Sequence, residues 1–153
     1  MLKYRDIIEH DKDTISKMIV EMLGNENPIE IAKEIVEGFY STDQIKTIVV
    51  ENQKELIGFS VANLNPFEGA PNIAEIVWHF TSKAKRKNGF GMNLLNRMEG
   101  YLKENGIRKN YIKTSVQSKD SVCFWIKQNY QFEARMKDFT GKGYDDYYMG
   151  KNI

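Results

Sequence analysis

Six consecutive residues, Arg86-Lys87-Asn88-Gly89-Phe90-Gly91, combine positive charge with two glycines, and an amphipathic stretch follows them. Glycine permits a tight turn and lets a backbone approach a ligand closely. If a helix begins here, its unpaired N–H groups and the positive end of its dipole favour an anion. Lys83 and Lys85 add positive charge to the same segment. The segment therefore predicts a site for a phosphate-bearing anion such as a pyrophosphate.

Other nucleotide sites fit this segment less well. It lacks the Gly-Lys-Ser/Thr ending of a P-loop, and Leu94 stands where the dinucleotide fingerprint needs a third glycine. The basic run at 83–87 also suggests nucleic acid, but a formal net charge of +1 argues against that class, because nucleic-acid-binding domains usually carry a broad excess of Lys and Arg. A glycine-containing turn with a solvated basic face is an alternative that the segment alone leaves open.

Hydrophobic periodicity predicts the elements that would position this segment. Four helices are expected: one with Asp13 as its N-cap, one opened by Asn27-Pro28, one ending near Asn105-Gly106, and one over residues 119–128. The predicted apolar faces of the first three contain Ile15, Met18, Ile19, Met22 and Leu23; Ile31, Ile35 and Phe39; and Leu94, Leu95, Met98, Tyr101 and Leu102. Strands are predicted at residues 2–8, 45–51, 56–63, 73–81, 111–116, 132–139 and 144–150. The order β-α-α-β-β-β-α-β-α-β-β, together with the length, predicts a single domain over residues 1–153.

The spacing Arg-x-x-Gly-x-Gly after a hydrophobic strand resembles the acetyl-CoA-binding motif of the GNAT superfamily of N-acetyltransferases. The predicted element order is also that of the GNAT fold, so the resemblance covers almost the whole chain. It implies an α/β (α+β) fold whose central, mixed but mostly antiparallel, twisted sheet has about seven strands flanked by about four helices. It also implies an acyltransferase with acetyl-CoA as co-substrate and no metal.

The same resemblance assigns cofactor contacts to three parts of the chain. The main chain of one strand would run beside the pantetheine arm, the glycine-containing loop would wrap the pyrophosphate, and residues of the last helix would lie beside the arm. The residues implied are His79, Phe80 and Thr81 on the strand; Arg86, Lys87, Asn88, Gly89, Phe90, Gly91 and Met92 in the loop; and Ser118, Ser121 and Trp125 near the last helix.

The segment Ser121 to Tyr130 resembles a family segment of the form Ala-x-x-Phe-Tyr-x-x-x-Gly-Phe. Trp125 stands where many members have a tyrosine that acts as general acid, and an indole N–H does not titrate. We interpret Trp125 as an aromatic residue that packs beside the cofactor arm. Asn129 replaces the family's glycine and is expected to adopt the left-handed conformation that ends a helix, and Tyr130 is expected in the core.

Glu75 precedes Gly89 and Gly91 by the same spacing as the catalytic glutamate in the histone acetyltransferase branch of the superfamily. The resemblance implies that Glu75 is the general base for the acceptor amine; a solvated or salt-bridged strand carboxylate is the alternative. It also implies that the backbone N–H of His79 stabilises the oxyanion. Strand alternation predicts the His79 side chain on the same face as Glu75, which leaves a base role for its imidazole open.

The acceptor implied by the resemblance is an amine-bearing small molecule or peptide. Carboxylates in the predicted acceptor groove would suit a cationic amine, although ordinary surface charge explains most of them. The candidate groove residues are Glu26, Glu30, Glu34, Phe39, Asp138, Phe139, Tyr144, Asp145, Asp146 and Tyr147. The resemblance also allows a homodimer through the final strands. A non-catalytic acyl-CoA-binding regulatory or interaction module of the same fold is the alternative function.

The composition is that of an ordinary globular domain, with 41% hydrophobic and 28% charged residues. Cys123 is the only cysteine, which excludes an internal disulfide or a cysteine-based zinc site. No long apolar stretch occurs near the amino terminus, so neither a signal peptide nor a membrane span is predicted, and a cytoplasmic location is expected.

Overall fold

A computed structural model of the chain describes residues 1–24, 26 and 28–153. Its strands form one seven-stranded sheet with the order β1-β2-β3-β4-β5-β7-β6. The neighbouring strands are antiparallel except for β4 and β5, which are parallel. The strands are β1 (Leu2–Asp6), β2 (Ile45–Asn52), β3 (Glu55–Asn63), β4 (Ile73–Thr81), β5 (Lys109–Ser115), β6 (Gln131–Gly141) and β7 (Tyr144–Asn152). Each predicted strand is present with its ends within two residues of the prediction, and the predicted fold class is confirmed.

Within the described residues, four α-helices cover the sheet, and two short 3-10 helices precede α1 and α3. They are α1 (Lys12–Leu23), α2 (Ile29–Glu37), α3 (Phe90–Glu104) and α4 (Lys119–Lys127). Apolar side chains of α1 and α2 share one core cluster with Val49, Phe59 and Phe80 of the sheet. Side chains of α3 and α4 share the other cluster with Ile112 of β5. The sheet therefore has α1 and α2 on one side, and α3 and α4 on the other.

The third helix follows its predicted apolar stripe closely. Leu94, Leu95, Met98 and Leu102 are fully buried, and a stripe of this kind at helical spacing packs one face of the helix against the sheet. The helix ends at Glu104, and Gly106 has a φ of 79°, the left-handed conformation that glycine adopts without strain.

The first two helices differ from the prediction. Helix α1 begins at Lys12, so Asp13 lies inside the first turn, and it is the Asp11 carboxylate that accepts the Ile8 N–H at 2.9 Å. Helix α2 begins at Ile29, with Pro28 just before it and not at the first helical position; Asn27 lies outside the described residues.

The buried face of α2 is rotated from the predicted one. Ala32 and Val36 are buried, whereas Ile31 is 47% exposed. Phe39 is buried, but it follows the end of the helix and packs against Trp78 of β4. Ala32 is too small to stand out in a hydrophobic pattern, which is why the sequence favoured the larger isoleucine.

Candidate active site

The loop between β4 and α3 forms a turn whose backbone faces the start of the helix. Lys87 and Gly89 both have left-handed φ angles, of 66° and 77°. The first helical bond runs from the Asn93 N–H to the Gly89 carbonyl at 3.0 Å. The N–H groups of Phe90 and Gly91 therefore have no partner within the helix, and no side chain caps this end. Such an end favours an anion.

The two glycines of the loop serve different purposes. A Cβ added to Gly89 would have no atom within 4 Å, so its positive φ, and not lack of space, is what favours glycine there. A Cβ added to Gly91 would lie 3.5 Å from the Phe124 ring, 3.7 Å from Thr81 Oγ1 and 3.8 Å from His79 Nε2. Gly91 thus sits where β4, α3 and α4 meet.

Arg86 is fixed to the end of β4. Its Nε donates to the Thr81 carbonyl at 3.1 Å, and its guanidinium lies 5.6 Å from the centre of the Phe80 ring. Lys85 pairs with Glu55 at 3.3 Å, whereas Lys87 is exposed. The structure therefore brings the predicted pyrophosphate residues together around the start of α3.

The strands β4 and β5 cease to pair as they approach this loop, and we refer to the space between their unpaired ends as the cleft. They pair only at Ile73–Lys109, Ala74–Asn110 and Glu75–Tyr111. The rest of β4, up to Thr81, continues beyond the paired section. An extended ligand lying beside such a strand end can pair with its backbone.

A bulge in β4 changes which face each side chain takes. Trp78 is opposite Val61 and Ile76 is opposite Ala62, so Val77 is an extra residue, and it is 45% exposed. Ile76 packs in the cluster of α3, whereas Trp78 packs in that of α1 and α2.

The predicted common face for Glu75 and His79 is therefore wrong. With the extra residue, alternation places the Glu75 side chain on the side of α1 and α2, whereas His79 contacts Gly91 of α3 and the aromatic rings of α4. A sequence pattern alone does not reveal a bulge, because the β-branched and aromatic residues between 73 and 81 suit a regular strand equally well.

Glu75 is the buried carboxylate of the cleft, with 8% of its surface exposed. Tyr111 donates its hydroxyl to Oε2 at 3.0 Å, and the Lys113 ammonium lies 3.0 Å from Oε1. The Tyr111 ring stacks on Phe67 and on Tyr148. Burial and the Glu75 charge raise the pKa of Tyr111 well above its ordinary value, so the phenol stays a donor. The Glu75 carboxylate is thus salt-bridged rather than solvated, and its role as general base stays a prediction.

Both ring nitrogens of His79 have partners. Nε2 lies 3.0 Å from the Gly91 carbonyl, and Nδ1 lies 3.1 Å from Ser60 Oγ. A carbonyl only accepts, so Nε2 carries the proton and Nδ1 accepts from the Ser60 hydroxyl. Burial lowers the pKa of His79 to about 4, although the Gly91 hydrogen bond opposes the shift. A neutral imidazole with both nitrogens engaged ties β4 to α3 and is poorly placed to take a proton from an acceptor.

The α4 residues divide between the core and the helix start. Trp125 is buried, with ring centres 4.8 Å from Tyr130 and 5.5 Å from His79. Ser121 shares a hydrogen bond of 2.9 Å with Thr114 of β5, and Ser118 directly precedes the helix. Their cofactor roles stay predictions. Tyr130 is buried as predicted.

Sequence reasoning missed the residues that surround Glu75 and His79. Tyr111 and Lys113 alternate along β5, and parallel pairing of β4 with β5 would have brought them beside Glu75. Ser60 lies directly opposite His79 in β3. These partners depend on strand register, for which the sequence carries no local signal.

Two features are absent from the described part of the chain. It contains no helix long and apolar enough to cross a membrane. Within the same residues, no group of three His, Cys, Asp or Glu side chains is placed to hold a metal ion.

Comparison with known proteins identifies relatives of this fold. The model of the acetyltransferase (GNAT) family matches residues 15–130, and no curated protein sequence matches the chain. A ribosomal-protein-alanine N-acetyltransferase from Brucella melitensis has a TM-score of 0.83 at 18% identity and covers 99% of both chains. An aminoglycoside 6'-N-acetyltransferase complexed with coenzyme A has a TM-score of 0.81 at 20% identity, over 98% of this chain and 96% of that chain.

A third similar structure is NAA60 of Arabidopsis thaliana in complex with acetyl-CoA. It has a TM-score of 0.80 at 16% identity, over 100% of this chain and 99% of that chain. At such identities the structural likeness establishes the fold, and the family model, which spans most of the sequence, establishes the family. This chain belongs to the acetyltransferase (GNAT) family.

Proposed function

We propose that the protein is an N-acetyltransferase that moves an acetyl group from acetyl-CoA to a primary amine by direct transfer in a ternary complex. The observation that carries this proposal is the buried Glu75 carboxylate at the point where β4 and β5 part. A carboxylate in that position can take a proton from an amine that enters the cleft from the side of α1 and α2. Family membership supports the reaction class.

The loop before α3 would hold the pyrophosphate of acetyl-CoA. The free N–H groups at the start of α3 suit phosphate oxygens, and Arg86 adds charge from a fixed position at the end of β4. Among the similar structures, the aminoglycoside enzyme contains coenzyme A and NAA60 contains acetyl-CoA. The backbone of His79 to Thr81 would run beside the pantetheine arm. Ser118 and Ser121 are the proposed polar neighbours of that arm.

Acetyl-CoA supplies an activated acyl group, and the residues of the chain supply proton transfer and charge stabilisation. An alkyl ammonium with a lysine-like pKa of about 10 must lose a proton before its nitrogen can attack. Glu75 would accept that proton, and the N–H of His79 would stabilise the oxyanion. The thiol of coenzyme A has a pKa near that of cysteine, about 8.5, so its thiolate leaves without an acid. Replacement of the family tyrosine by Trp125 is therefore tolerable.

The acceptor is proposed to be a cationic amine. Similar structures are described as enzymes acting on ribosomal-protein alanine and on aminoglycosides, two classes that carry such amines. Asp145 and Asp146 are both buried, but Asp145 accepts hydrogen bonds from Arg135 and from the Asp138 N–H. Asp146 is thus the better candidate to attract the acceptor. A cytoplasmic location and a homodimer stay predictions.

Replacement of Glu75 by Gln tests the mechanism, and Glu99→Gln is its matched control. Glu99 also accepts a tyrosine hydroxyl and a lysine ammonium, from Tyr130 and Lys151, but it lies on α3. With a panel of polyamine, aminoglycoside and peptide acceptors, we expect Glu75→Gln to slow coenzyme A release about 10²-fold or more, while calorimetry shows unchanged acetyl-CoA binding.

Two variants and the wild type serve as controls for this experiment. Glu99→Gln should keep wild-type turnover. Gly89→Glu should abolish acetyl-CoA binding, because it adds negative charge and a side chain at the left-handed turn. Unchanged turnover in Glu75→Gln would contradict the assignment of the base, and absence of acetyl-CoA binding in the wild type would contradict the proposed function itself.

A further inference from the structure

The cleft already contains a primary amine, which belongs to the protein itself. The Lys113 Nζ lies 3.0 Å from Glu75 Oε1, the oxygen that Tyr111 does not use. Its charge lies 5.8 Å from the centre of the Tyr148 ring and 6.0 Å from that of Phe139. Aromatic faces at this distance attract an ammonium. Lys113 thus occupies a site built for a cation beside the proposed base.

A lysine bound to a glutamate and to an aromatic ring is not unusual in this fold. Lys151 pairs with Glu99 at 2.8 Å and lies 5.7 Å from the Tyr130 ring centre. The two lysines therefore have nearly the same local chemistry. Only Lys113 is on a strand of the β4–β5 cleft, with its carboxylate partner on the other strand. Position, rather than local environment, distinguishes it.

We propose that Lys113 is an acetyl acceptor within its own chain, so that the enzyme modifies itself at this residue. The inference rests on the proposed function, because it uses the same base and the same acetyl-CoA. Lys113 has the chemistry of the expected substrate class, an alkyl ammonium that must lose a proton before it reacts. Lys113 is exposed to solvent, so packing does not enclose its side chain and leaves it room to move away from the ion pair.

The step balances as an ordinary aminolysis of a thioester. Glu75 takes one proton from the Lys113 ammonium, and the nitrogen lone pair then forms a bond to the acetyl carbon. The carbon–sulfur bond breaks, coenzyme A leaves as a thiolate, and the thiolate takes the second nitrogen proton. Glu75 returns the first proton to water. The products are an acetylated lysine and a thiol.

Acetylation would change the cleft because it removes the charge that pairs with Glu75. An acetamide has no formal charge and cannot form the ion pair, so the Glu75 carboxylate becomes available to an external amine. Without an acceptor, the protein should release one equivalent of coenzyme A per chain and then stop. This burst is a stoichiometric property that slow hydrolysis of acetyl-CoA would not produce.

Intact-mass spectrometry and peptide mapping of the wild-type protein incubated with acetyl-CoA test the proposal. We expect one acetyl group on Lys113, acquired at a rate independent of protein concentration, and at least about 10²-fold slower in Glu75→Gln. Lys151 is the internal control for non-enzymatic acetylation. In Lys113→Arg, which keeps the cation, the burst should be absent.

The proposal is overturned if Lys113 gains acetyl no faster than Lys151, or equally fast in Glu75→Gln. A rate that rises with protein concentration would show transfer between molecules and would overturn the reaction within one chain. If acetyl-CoA binds and external amines are acetylated while Lys113 stays unmodified, this inference fails and the proposed function stands. If acetyl-CoA does not bind in calorimetry, both fail.

Discussion

Removal of the His79 imidazole should make folding stability less sensitive to acid. In the folded protein this ring is neutral because Nε2 donates to the Gly91 carbonyl, and Nδ1 accepts from Ser60. The ring also packs against Phe124 and Trp125, at ring-centre distances of 5.5 Å. Protonation would place a charge at a site that burial shields from water, which is why the neutral ring is favoured.

The magnitude follows from the two pKa values of this histidine. Burial lowers the pKa to about 4 in the folded state, from 6.5 for an unperturbed histidine. Between these values the unfolded chain binds the proton more tightly, so stability falls as pH falls. Each pH unit in this window is worth about 1.4 kcal/mol. The loss attributable to His79 is therefore about 2 kcal/mol by pH 5 and about 3 kcal/mol by pH 4.

Urea unfolding of wild type and His79→Gln at pH 7, 6, 5 and 4 measures the loss of stability that is due to His79. Glutamine can still donate to the Gly91 carbonyl and does not titrate, so we expect a lower stability at pH 7 but a flatter pH dependence. Wild type and variant have the same carboxylates, so the contribution of these groups cancels when the pH dependence of one protein's stability is subtracted from that of the other. His10→Gln, at an exposed position, is the control for loss of a histidine.

Two results would refute the reasoning. Parallel stability curves for wild type and His79→Gln between pH 6.5 and 4 would mean that His79 is not a buried neutral base. An NMR titration of the wild type that finds the ring protonated at pH 6, or protonated on Nδ1 when neutral, would contradict the hydrogen-bond assignment directly, without a variant.

Two stability predictions concern positions away from the cleft chemistry. Gly89→Ala should lower the free energy of unfolding by about 1–2 kcal/mol, because the φ of Gly89 is 77°. Gly100 is exposed inside α3, so Gly100→Ala should raise the same free energy by about 0.5–1 kcal/mol. Urea unfolding measures both, and equal effects of the two variants would contradict the backbone argument. Burial tends to raise the pKa of Asp11, but Arg5 at 2.6 and 2.8 Å and the Ile8 N–H lower it below its ordinary value. Asp11→Asn should therefore lower the free energy of unfolding by about 2 kcal/mol at pH 7. The difference in stability between variant and wild type should disappear as acid protonates Asp11, and a difference that persists at pH 2 would contradict this prediction.

The sequence predicted those features that depend on local conformation or on periodicity. Asn129 has a φ of 66°, as expected for a left-handed residue at a helix end. The buried stripe of α3 was also correct, because four large apolar residues at helical spacing leave little choice of face. Both signals lie within a few neighbouring residues, where the chain's own chemistry determines the outcome.

Features that depend on register or on a small residue could not be predicted in the same way. The bulge at Val77 reverses the faces of later β4 residues, yet an extra valine in a strand looks like any other. The ion pair of Glu75 with Lys113 requires β4 and β5 to be adjacent and parallel, and 37 residues lie between these two positions in the chain. Such contacts are decided by the whole sheet rather than by either strand.

The bulge at Val77 explains why His79 and Glu75 have different proposed roles. Without it, regular alternation would place the His79 side chain on the same face of the sheet as Glu75, where it could not contact Gly91 and α4. With it, His79 joins β4 to Gly91 at the start of α3, while Glu75 faces Lys113 on the opposite side of the sheet. Changes at His79 should therefore act on cofactor binding and stability, and changes at Glu75 on the acceptor. In the proposed ternary complex, this single extra residue would let β4 contact the cofactor through one face and the acceptor through the other.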